Sequence, residues 1–174
     1  MRLFVAVEVP ADVRAAVDAA VAPLRTAAPK LRWVAPERYH LTLVFLGAVD
    51  EALLPGVSAG MQAGCAGAAG FTLALDGTVG TFGRRVLWAG VAPSPELTTL
   101  AGRVTAALRS VVGLADEQRE FSAHLTLARA KREPVRSRLV KGVSVPALSW
   151  PVGRVVLLRS AGGYEVVAEA VLEG

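Results

Sequence analysis

The tetrapeptide His-Leu-Thr-Leu occurs twice in this sequence, at residues 40–43 and 124–127. The chain contains two histidines, and each of them, His40 and His124, opens one copy. The alternation of polar and apolar residues is typical of a half-buried strand, with His and Thr on one face and both leucines on the other. Because the copies begin 84 positions apart in 174 residues, one falls in each half. We expect a duplicated strand whose two copies face each other around one small site.

These residue types suit chemistry at a phosphorus atom. Side chains two positions apart on a strand project from the same face, about 6.5–7 Å apart. Two facing copies would therefore place one imidazole on each side of a central atom, as in-line attack requires. One imidazole can accept a proton from the incoming oxygen while the other donates a proton to the leaving oxygen. The hydroxyls of Thr42 and Thr126 can donate to the non-bridging oxygens, whose negative charge must be stabilised in the transition state.

Other uses of a histidine pair fit the sequence less well. A single histidine in an apolar strand is often a hydrogen-bonded structural residue, and Leu-Thr-Leu is ordinary strand composition. The repeated register favours a functional pair, because Val or Ile would pack without a polar group that needs a partner. Two histidines without a Cys or carboxylate cluster are too few for a zinc site. The sequence contains no His-Glu-x-x-His or phosphate-loop motif. We therefore expect neither a metal nor a cofactor.

The composition indicates a globular protein. Hydrophobic residues make up 53% of the chain and charged residues 20%, which excludes a disordered chain. No apolar run is long enough to span a bilayer, and Glu8 and Pro10 interrupt the apolar N-terminal segment, unlike a signal peptide. Since Cys65 is the single cysteine, no intramolecular disulfide can form. We expect a cytoplasmic protein without membrane contact. The net charge of +4 suits an anionic ligand such as RNA, although many other enzymes share it.

Periodicity and turn residues predict an α+β fold with mostly antiparallel sheets. Helices are expected at 11–27, after Asp50 and after Ser94, and the second of these has many glycines and therefore poor helix propensity. Residues 116–120 are predicted to form a polar loop and residues 134–142 a short basic helix or turn. Strands are expected at 2–9, 31–34, 38–47, 70–77, 84–91, 152–159, 164–172 and around the second tetrapeptide. No linker separates the halves, so residues 1–174 are expected to form a single domain of two pseudo-symmetric lobes, each supplying one His-x-Thr-x motif.

The chain resembles the RNA 2′,3′-cyclic phosphodiesterase family, also called the 2′-5′ RNA ligase or LigT-like family. This family belongs to the two-histidine phosphoesterase superfamily, whose signature is a pair of His-x-Thr/Ser-x motifs. One departure is Ala123, where the family usually has proline before the second histidine, and it removes no functional group. The resemblance runs nearly from end to end, over residues 2–7, 31–34, 40–47, 85–91 and 121–129 and at Ser160 and Tyr164.

The resemblance implies a bilobal fold in which two sheets flank a central cleft, with helices outside. It implies hydrolysis of a terminal 2′,3′-cyclic phosphate on RNA to a 2′-phosphate without a metal or nucleotide cofactor, and reversible 2′-5′ ligation of RNA. By analogy, His124 activates the water, His40 protonates the departing 3′-oxygen, and Thr42 and Thr126 hold phosphate oxygens. Arg129 matches the family's arginine after the second motif and is expected to bind phosphate. Strict alternation would place Arg129 on the face opposite His124, so a bulge or strand end is needed there.

The motif residues are expected to contact only the phosphate, so they do not specify the rest of the substrate. The expected partner is RNA with a 2′,3′-cyclic phosphate end, bound by a monomer. The alternatives are a small cyclic phosphate, a 2′-5′ oligoadenylate, or a non-catalytic protein that binds RNA ends. Basic residues outside the motifs are candidates for RNA backbone contacts or for a solvated charged face: Arg84, Arg85, Lys131, Arg132, Arg136, Arg138 and Lys141. Aromatic residues are candidates for base stacking or for the core: Trp33, Tyr39, Phe45 and Phe82.

Overall fold

This computed structural model describes residues 1–115 and 120–174, which contain nine β-strands, three α-helices and three short 3-10 helices. The helices are α1 (Ala11–Ala27), α2 (Leu54–Cys65) and α3 (Pro95–Val112). The strands are β1 (Arg2–Glu8), β2 (Arg32–Trp33), β3 (His40–Ala48), β4 (Phe71–Phe82), β5 (Val86–Val91), β6 (His124–Arg129), β7 (Ser149–Val152), β8 (Arg154–Ser160) and β9 (Tyr164–Val171). Apart from Glu120, the polar loop expected at 116–120 lies outside the described residues. No described helix is long and apolar enough to cross a membrane.

Most of the expected elements are present, and two differ from expectation. β7 was not predicted, because Pro151 interrupts its short apolar pattern. Proline is tolerated there since β7 is an edge strand of the sheet, where a missing N–H breaks no central ladder. β4 was expected to end at residue 77 but continues to Phe82. A bulge around Gly77, whose φ is 87°, allows the chain to bend without ending the strand.

The strands form one curled, mostly antiparallel sheet in the order β7-β4-β5-β6-β3-β1-β8-β9, with β2 also paired to β6. The two halves of this sheet meet between β3 and β6 through a single described residue pair, Leu41 opposite Leu125. One half-sheet consists of β7, β4, β5 and β6 together with β2, and the other consists of β3, β1, β8 and β9. The predicted bilobal α+β fold is confirmed, and the two half-sheets are joined inside the repeated tetrapeptide.

The internal repeat extends well beyond the tetrapeptide. β5, α3 and β6 each begin 84 positions after β1, α1 and β3, respectively, so each half contains the same strand-helix-strand unit. A strand from the opposite half completes each unit, since β8 pairs with β1 and β4 pairs with β5. This exchange of strands ties the two halves of the chain together.

The helices cover one face of the sheet, and the other face carries the polar side of the tetrapeptides. Leu41 and Leu125 belong to the main core together with buried residues of all three helices. A second, smaller apolar cluster contains Phe4 and Ala6 of β1. Ala6 is paired with Thr42, and paired residues share a face of the sheet. The second cluster therefore lies on the same side as the histidine and threonine of β3.

The glycines of α2 form a packing surface for α3. Gly56, Gly60 and Gly64 are spaced by four residues, so they lie on one face of the helix. A Cβ atom added at Gly64 would lie 2.7 Å from the Cα of Val104, and one added at Gly60 would lie 3.0 Å from a methyl carbon of Leu108. The close approach of the two helices thus compensates for the poor helix propensity of this segment.

The Gly64→Ala substitution is expected to lower the free energy of unfolding by about 1–2 kcal/mol, because the new methyl group overpacks the contact with Val104. Gly102→Ala in α3 is the matched control, since a Cβ atom there meets nothing within 4 Å. Alanine is favoured over glycine in a helix by about 1 kcal/mol, so the control is expected to be stabilised. Chemical denaturation measures both changes, and equal stabilisation of the two variants would contradict the close contact.

Candidate active site

The two histidines open neighbouring strands that meet at one residue pair. Leu41 and Leu125 are both fully buried at this pair, so His and Thr of each motif project from the opposite face of the sheet. Because β3 and β6 are antiparallel, His40 lies on the side of Thr126 and His124 lies on the side of Thr42. The structure therefore brings together the four polar residues that the repeated motif singled out.

The same backbone contact orients both imidazoles. Nδ1 of His40 donates to the carbonyl oxygen of Arg38 at 2.7 Å, and Nδ1 of His124 donates to that of Ser122 at 2.9 Å. A carbonyl oxygen can only accept, so Nδ1 carries the proton and Nε2 is the nitrogen that can exchange one. Nε2 of His40 lies 3.1 Å from the hydroxyl oxygen of Thr42, which can donate to it. Each motif thus presents an imidazole of defined tautomer.

Aromatic rings hold each imidazole from the side. The ring of His40 lies 4.8 Å from Phe4 and 5.1 Å from Tyr164, measured between ring centroids. The ring of His124 meets the edge of Phe82 at 4.9 Å. These contacts restrict rotation of both imidazoles and shield His40 from water.

Burial lowers the pKa of the His40 imidazole below its usual value. The hydrogen bond to the Arg38 carbonyl opposes this effect, while the positive charges of Arg129 and His124 lower the pKa further. The neutral imidazole is therefore favoured at His40 when no anion is bound. The influence of Arg129 also shows that its guanidinium is within electrostatic reach of His40.

A β-bulge in β6 brings Arg129 to the face that carries the motif. Thr126 and Ala128 pair with consecutive residues of β5, which leaves Leu127 between them without a partner on that strand. Leu127 and Ala128 are both buried, so the alternation is reversed after the bulge and Arg129 is exposed. This is the irregularity that a site role for Arg129 requires.

β3 contains the same bulge, followed by a different residue. Thr42 and Val44 pair with consecutive residues of β1, and Leu43 between them is unpaired on that side. Phe45 follows, with 59% of its surface exposed, at the position that corresponds to Arg129. Since β3 and β6 run in opposite directions from their shared leucine pair, Phe45 and Arg129 lie at opposite ends of the site floor. The residue that follows the bulge is thus aromatic in β3 and basic in β6.

The family model for the 2′-5′ RNA ligase superfamily matches residues 9–163 of this chain, a range that includes both motifs and Arg129. The chain belongs to this superfamily. The resemblance inferred from the two tetrapeptides and their flanking strands is therefore confirmed.

Three curated relatives are named RNA 2′,3′-cyclic phosphodiesterase. The relative from Geobacillus stearothermophilus is 30% identical over 181 aligned positions, which cover 98% of this chain but 57% of the relative. The relative from Thermotoga maritima is 29% identical and is covered over 97% of its length. The Escherichia coli relative is 33% identical, with 86% of this chain and 80% of the relative covered. This chain thus spans little more than half of the first relative and nearly all of the second.

Solved structures show the same fold over nearly the whole chain. A crystal structure of a Thermus thermophilus protein superposes with a TM-score of 0.80 at 31% identity, covering 100% of this chain and 99% of that one. Escherichia coli LigT complexed with phosphate has a TM-score of 0.76 at 29% identity. LigT complexed with 3′-AMP has a TM-score of 0.77 at 26% identity. Both LigT structures cover 99% of this chain and 98% of their own.

Four of the seven basic residues considered as RNA contacts line a groove beside α1. The groove has a volume of about 1260 Å³ and lies between the C-terminal part of α1 and residues 131–139. Arg84 supports this segment, since its Nε donates to the carbonyl oxygen of Val135 at 3.4 Å. Arg85 and Lys141 are exposed outside the groove lining. The four of the seven that line the groove are Lys131, Arg132, Arg136 and Arg138.

The four aromatic candidates divide into two pairs. Phe45 and Phe82 are exposed on the histidine face, at 59% and 40% of their surface. Trp33 packs toward α1, where its Nε1 donates to the Ala28 carbonyl at 3.0 Å. Tyr39 belongs to the core, and burial raises its pKa to about 12. The first pair is available to a ligand, and the second is structural.

Two residues beside the site had no predicted role. Phe4 contacts His40, and Arg32 lies directly opposite Arg129 on the neighbouring strand β2. Phe4 and Trp88 lie 84 positions apart, so both repeated units have an aromatic residue at this position. This regularity in the sequence could have identified Phe4. Arg32 carries no such signal. Among the described residues, no group of three or more His, Cys, Asp or Glu side chains could hold a metal ion.

The pKa of His40 is expected to be lower than that of an exposed imidazole in the ligand-free protein, because burial and neighbouring positive charge disfavour the imidazolium. Arg129→Gln is expected to raise this pKa, since it removes one of those charges. Arg138→Gln is the matched control, because it removes the same charge from the groove beside α1. Imidazole NMR measures the pKa values, with two histidines to assign. An equal response to both substitutions would contradict the placement of Arg129.

Proposed function

We propose that this protein hydrolyses the 2′,3′-cyclic phosphate at the end of an RNA to a 2′-phosphate. We also propose that the same site can catalyse reversible 2′-5′ ligation of RNA. The observation that carries the proposal is the Leu41–Leu125 pair, which places two oriented imidazoles and two hydroxyls on one face. The names of the relatives support the RNA substrate. The LigT complexes with phosphate and 3′-AMP support a phosphate ligand in this fold.

In the proposed reaction a water oxygen forms a bond to phosphorus while the bond between phosphorus and O3′ breaks. His124 takes a proton from the water, and His40 donates a proton to O3′, so the pair exchanges its protonation states in each turnover. Thr42 and Thr126 donate hydrogen bonds to the non-bridging oxygens. Arg129 stabilises the negative charge that develops on those oxygens.

The lowered pKa of His40 places a condition on this order, because an acid must begin the reaction protonated. The negative charge of the cyclic phosphate favours the charged imidazole and offsets the repulsion from Arg129. His40 therefore gains its proton as the anionic substrate binds. A neutral molecule of similar shape would not favour protonation of His40 in this way.

Removal of either imidazole, by His40→Ala or His124→Ala, is expected to lower kcat by about 10²–10⁴-fold on a cyclic-ended RNA, which is the usual contribution of a general acid or base. Thr42→Val and Thr126→Val are expected to cost less, and the matching Thr→Ser variants to retain activity, because the hydroxyl donor remains. The assay contains EDTA, since the proposed reaction uses no metal. Binding of the RNA end without turnover by the wild type would favour the non-catalytic alternative.

A substrate with sulfur in place of the 3′-bridging oxygen separates the roles of the two histidines. A thiolate leaves without protonation, so this substrate is expected to restore activity to the variant that lacks the acid, His40→Ala. The variant that lacks the base, His124→Ala, is expected to stay impaired. Both rates are measured against the oxygen substrate. Rescue of His124→Ala alone would reverse the assigned order.

We further propose that residues 1–174 act as one domain, as a monomer, in the cytoplasm. Support for a single domain comes from the exchanged strands β4 and β8 and from a main core that includes residues of both halves. Sedimentation of the purified protein at several concentrations tests the monomer. A mass that rises with concentration would contradict it.

A further inference from the structure

β2 consists of two residues, and both pair with the strand that carries the second motif. Arg32 lies opposite Arg129, and Trp33 lies opposite Ala128. Directly opposite residues share a face of the sheet. Ala128 is buried on the helix side, so Trp33 points to that side while Arg32 and Arg129 project from the face of the histidines.

Three contacts hold this short strand in place. Nε1 of Trp33 donates to the carbonyl oxygen of Ala28 at 3.0 Å, and the guanidinium of Arg25 lies 5.5 Å from the centre of the Trp33 ring. The backbone N–H of Val34 donates to the carbonyl oxygen of Leu127 at 2.8 Å. Because Trp33 is anchored on the helix side, Arg32 is directed to the opposite face.

Like charges directly opposite each other on paired strands repel. None of the ion pairs among residues 1–115 and 120–174 includes Arg32 or Arg129. An anion bound between the two guanidiniums would remove the repulsion. The planar fork of arginine donors matches the paired oxygens of a phosphate group.

The position of this arginine pair suits a second phosphate. Arg129 lies two ladder positions beyond Thr126, because Leu127 is the bulged residue, and this corresponds to about 6.5–7 Å of strand. Since β5 pairs with the other edge of β6, Arg32 lies on the edge that also carries β3, about 4.8 Å from Arg129. The charge of Arg129 lowers the pKa of His40, so Arg129 borders the motif residues, whereas Arg32 is not among the charges that shift this pKa and lies beyond the His40 end of β3.

We propose that Arg32, with Arg129, binds the phosphodiester immediately upstream of the terminal nucleotide. This inference rests on the proposed function and deepens it, because it assigns a residue that distinguishes an RNA end from a cyclic mononucleotide. A mononucleotide has no upstream phosphodiester and gains nothing from Arg32. Arg129 borders both phosphates, and Arg32 contacts the upstream one.

The test compares a cyclic-ended dinucleotide with the corresponding 2′,3′-cyclic mononucleotide. Arg32→Gln is expected to lower kcat/KM for the dinucleotide by about tenfold to a hundredfold, through KM, which corresponds to loss of a charge-assisted hydrogen bond. Turnover of the mononucleotide is expected to be unchanged. Arg32→Lys is expected to restore only part of the effect, because lysine keeps the charge but lacks the fork.

Arg138→Gln serves as the control, since it removes the same charge from the groove beside α1. A similar loss in Arg138→Gln would show that the general charge of the surface is responsible and would overturn the inference. Equal losses on both substrates in Arg32→Gln would also overturn it, because Arg32 would then act on the terminal phosphate.

Calorimetry separates this inference from the proposed function. The ligands are a dinucleotide with a 2′-phosphate end and a nucleoside 2′-monophosphate, neither of which needs to react. Tighter binding of the dinucleotide by the wild type, lost in Arg32→Gln, would support the upstream phosphate site even if no substrate were turned over. Equal affinities of the wild type for the two ligands would refute the site, whatever the activity.

Discussion

The contact on which the site depends is the pairing of Leu41 with Leu125. It is the single described residue pair that joins β3 to β6, and it joins the two half-sheets at the centre of both tetrapeptides. Both leucines are fully buried against the helix side, so the residues before and after them must project from the other face. An apolar contact on one side of the sheet thereby sets the relative position of two imidazoles and two hydroxyls on the other side.

The repeated unit supplies a symmetric frame with asymmetric ends. Both motifs end with a bulge at their second leucine, and the imidazole of each histidine donates to the backbone carbonyl two residues earlier. After the bulge, however, one copy presents Phe45 and the other presents Arg129. The phosphate proposed to bind between the histidines would thus meet equivalent groups from either side, while the flank beside Phe45 differs chemically from the flank beside Arg129.

Two elements show how tertiary contacts decide local structure. α2 contains glycines that disfavour a helix, yet the same glycines allow the close approach of α3. β2 is too short to be stable alone, yet Trp33 anchors it beneath α1 and directs Arg32 outward. In both places the local sequence is weak or ambiguous, and packing against a neighbouring element determines the conformation.

The sequence by itself determined the strands and helices with clear periodicity, the repetition of the motif in both halves and the chemistry of its side chains. Residue type and strand alternation are local properties, so the sequence could indicate that His and Thr of each motif share one face of a strand. Only the tertiary structure decided which way Arg129 points, since a bulge is defined by the partner strand. The core positions of Trp33 and Tyr39, the pairing of Arg32 with Arg129 and the lowered pKa of His40 likewise arise from neighbours distant in sequence. Pairing and burial are properties of the whole fold, and a linear pattern does not contain them.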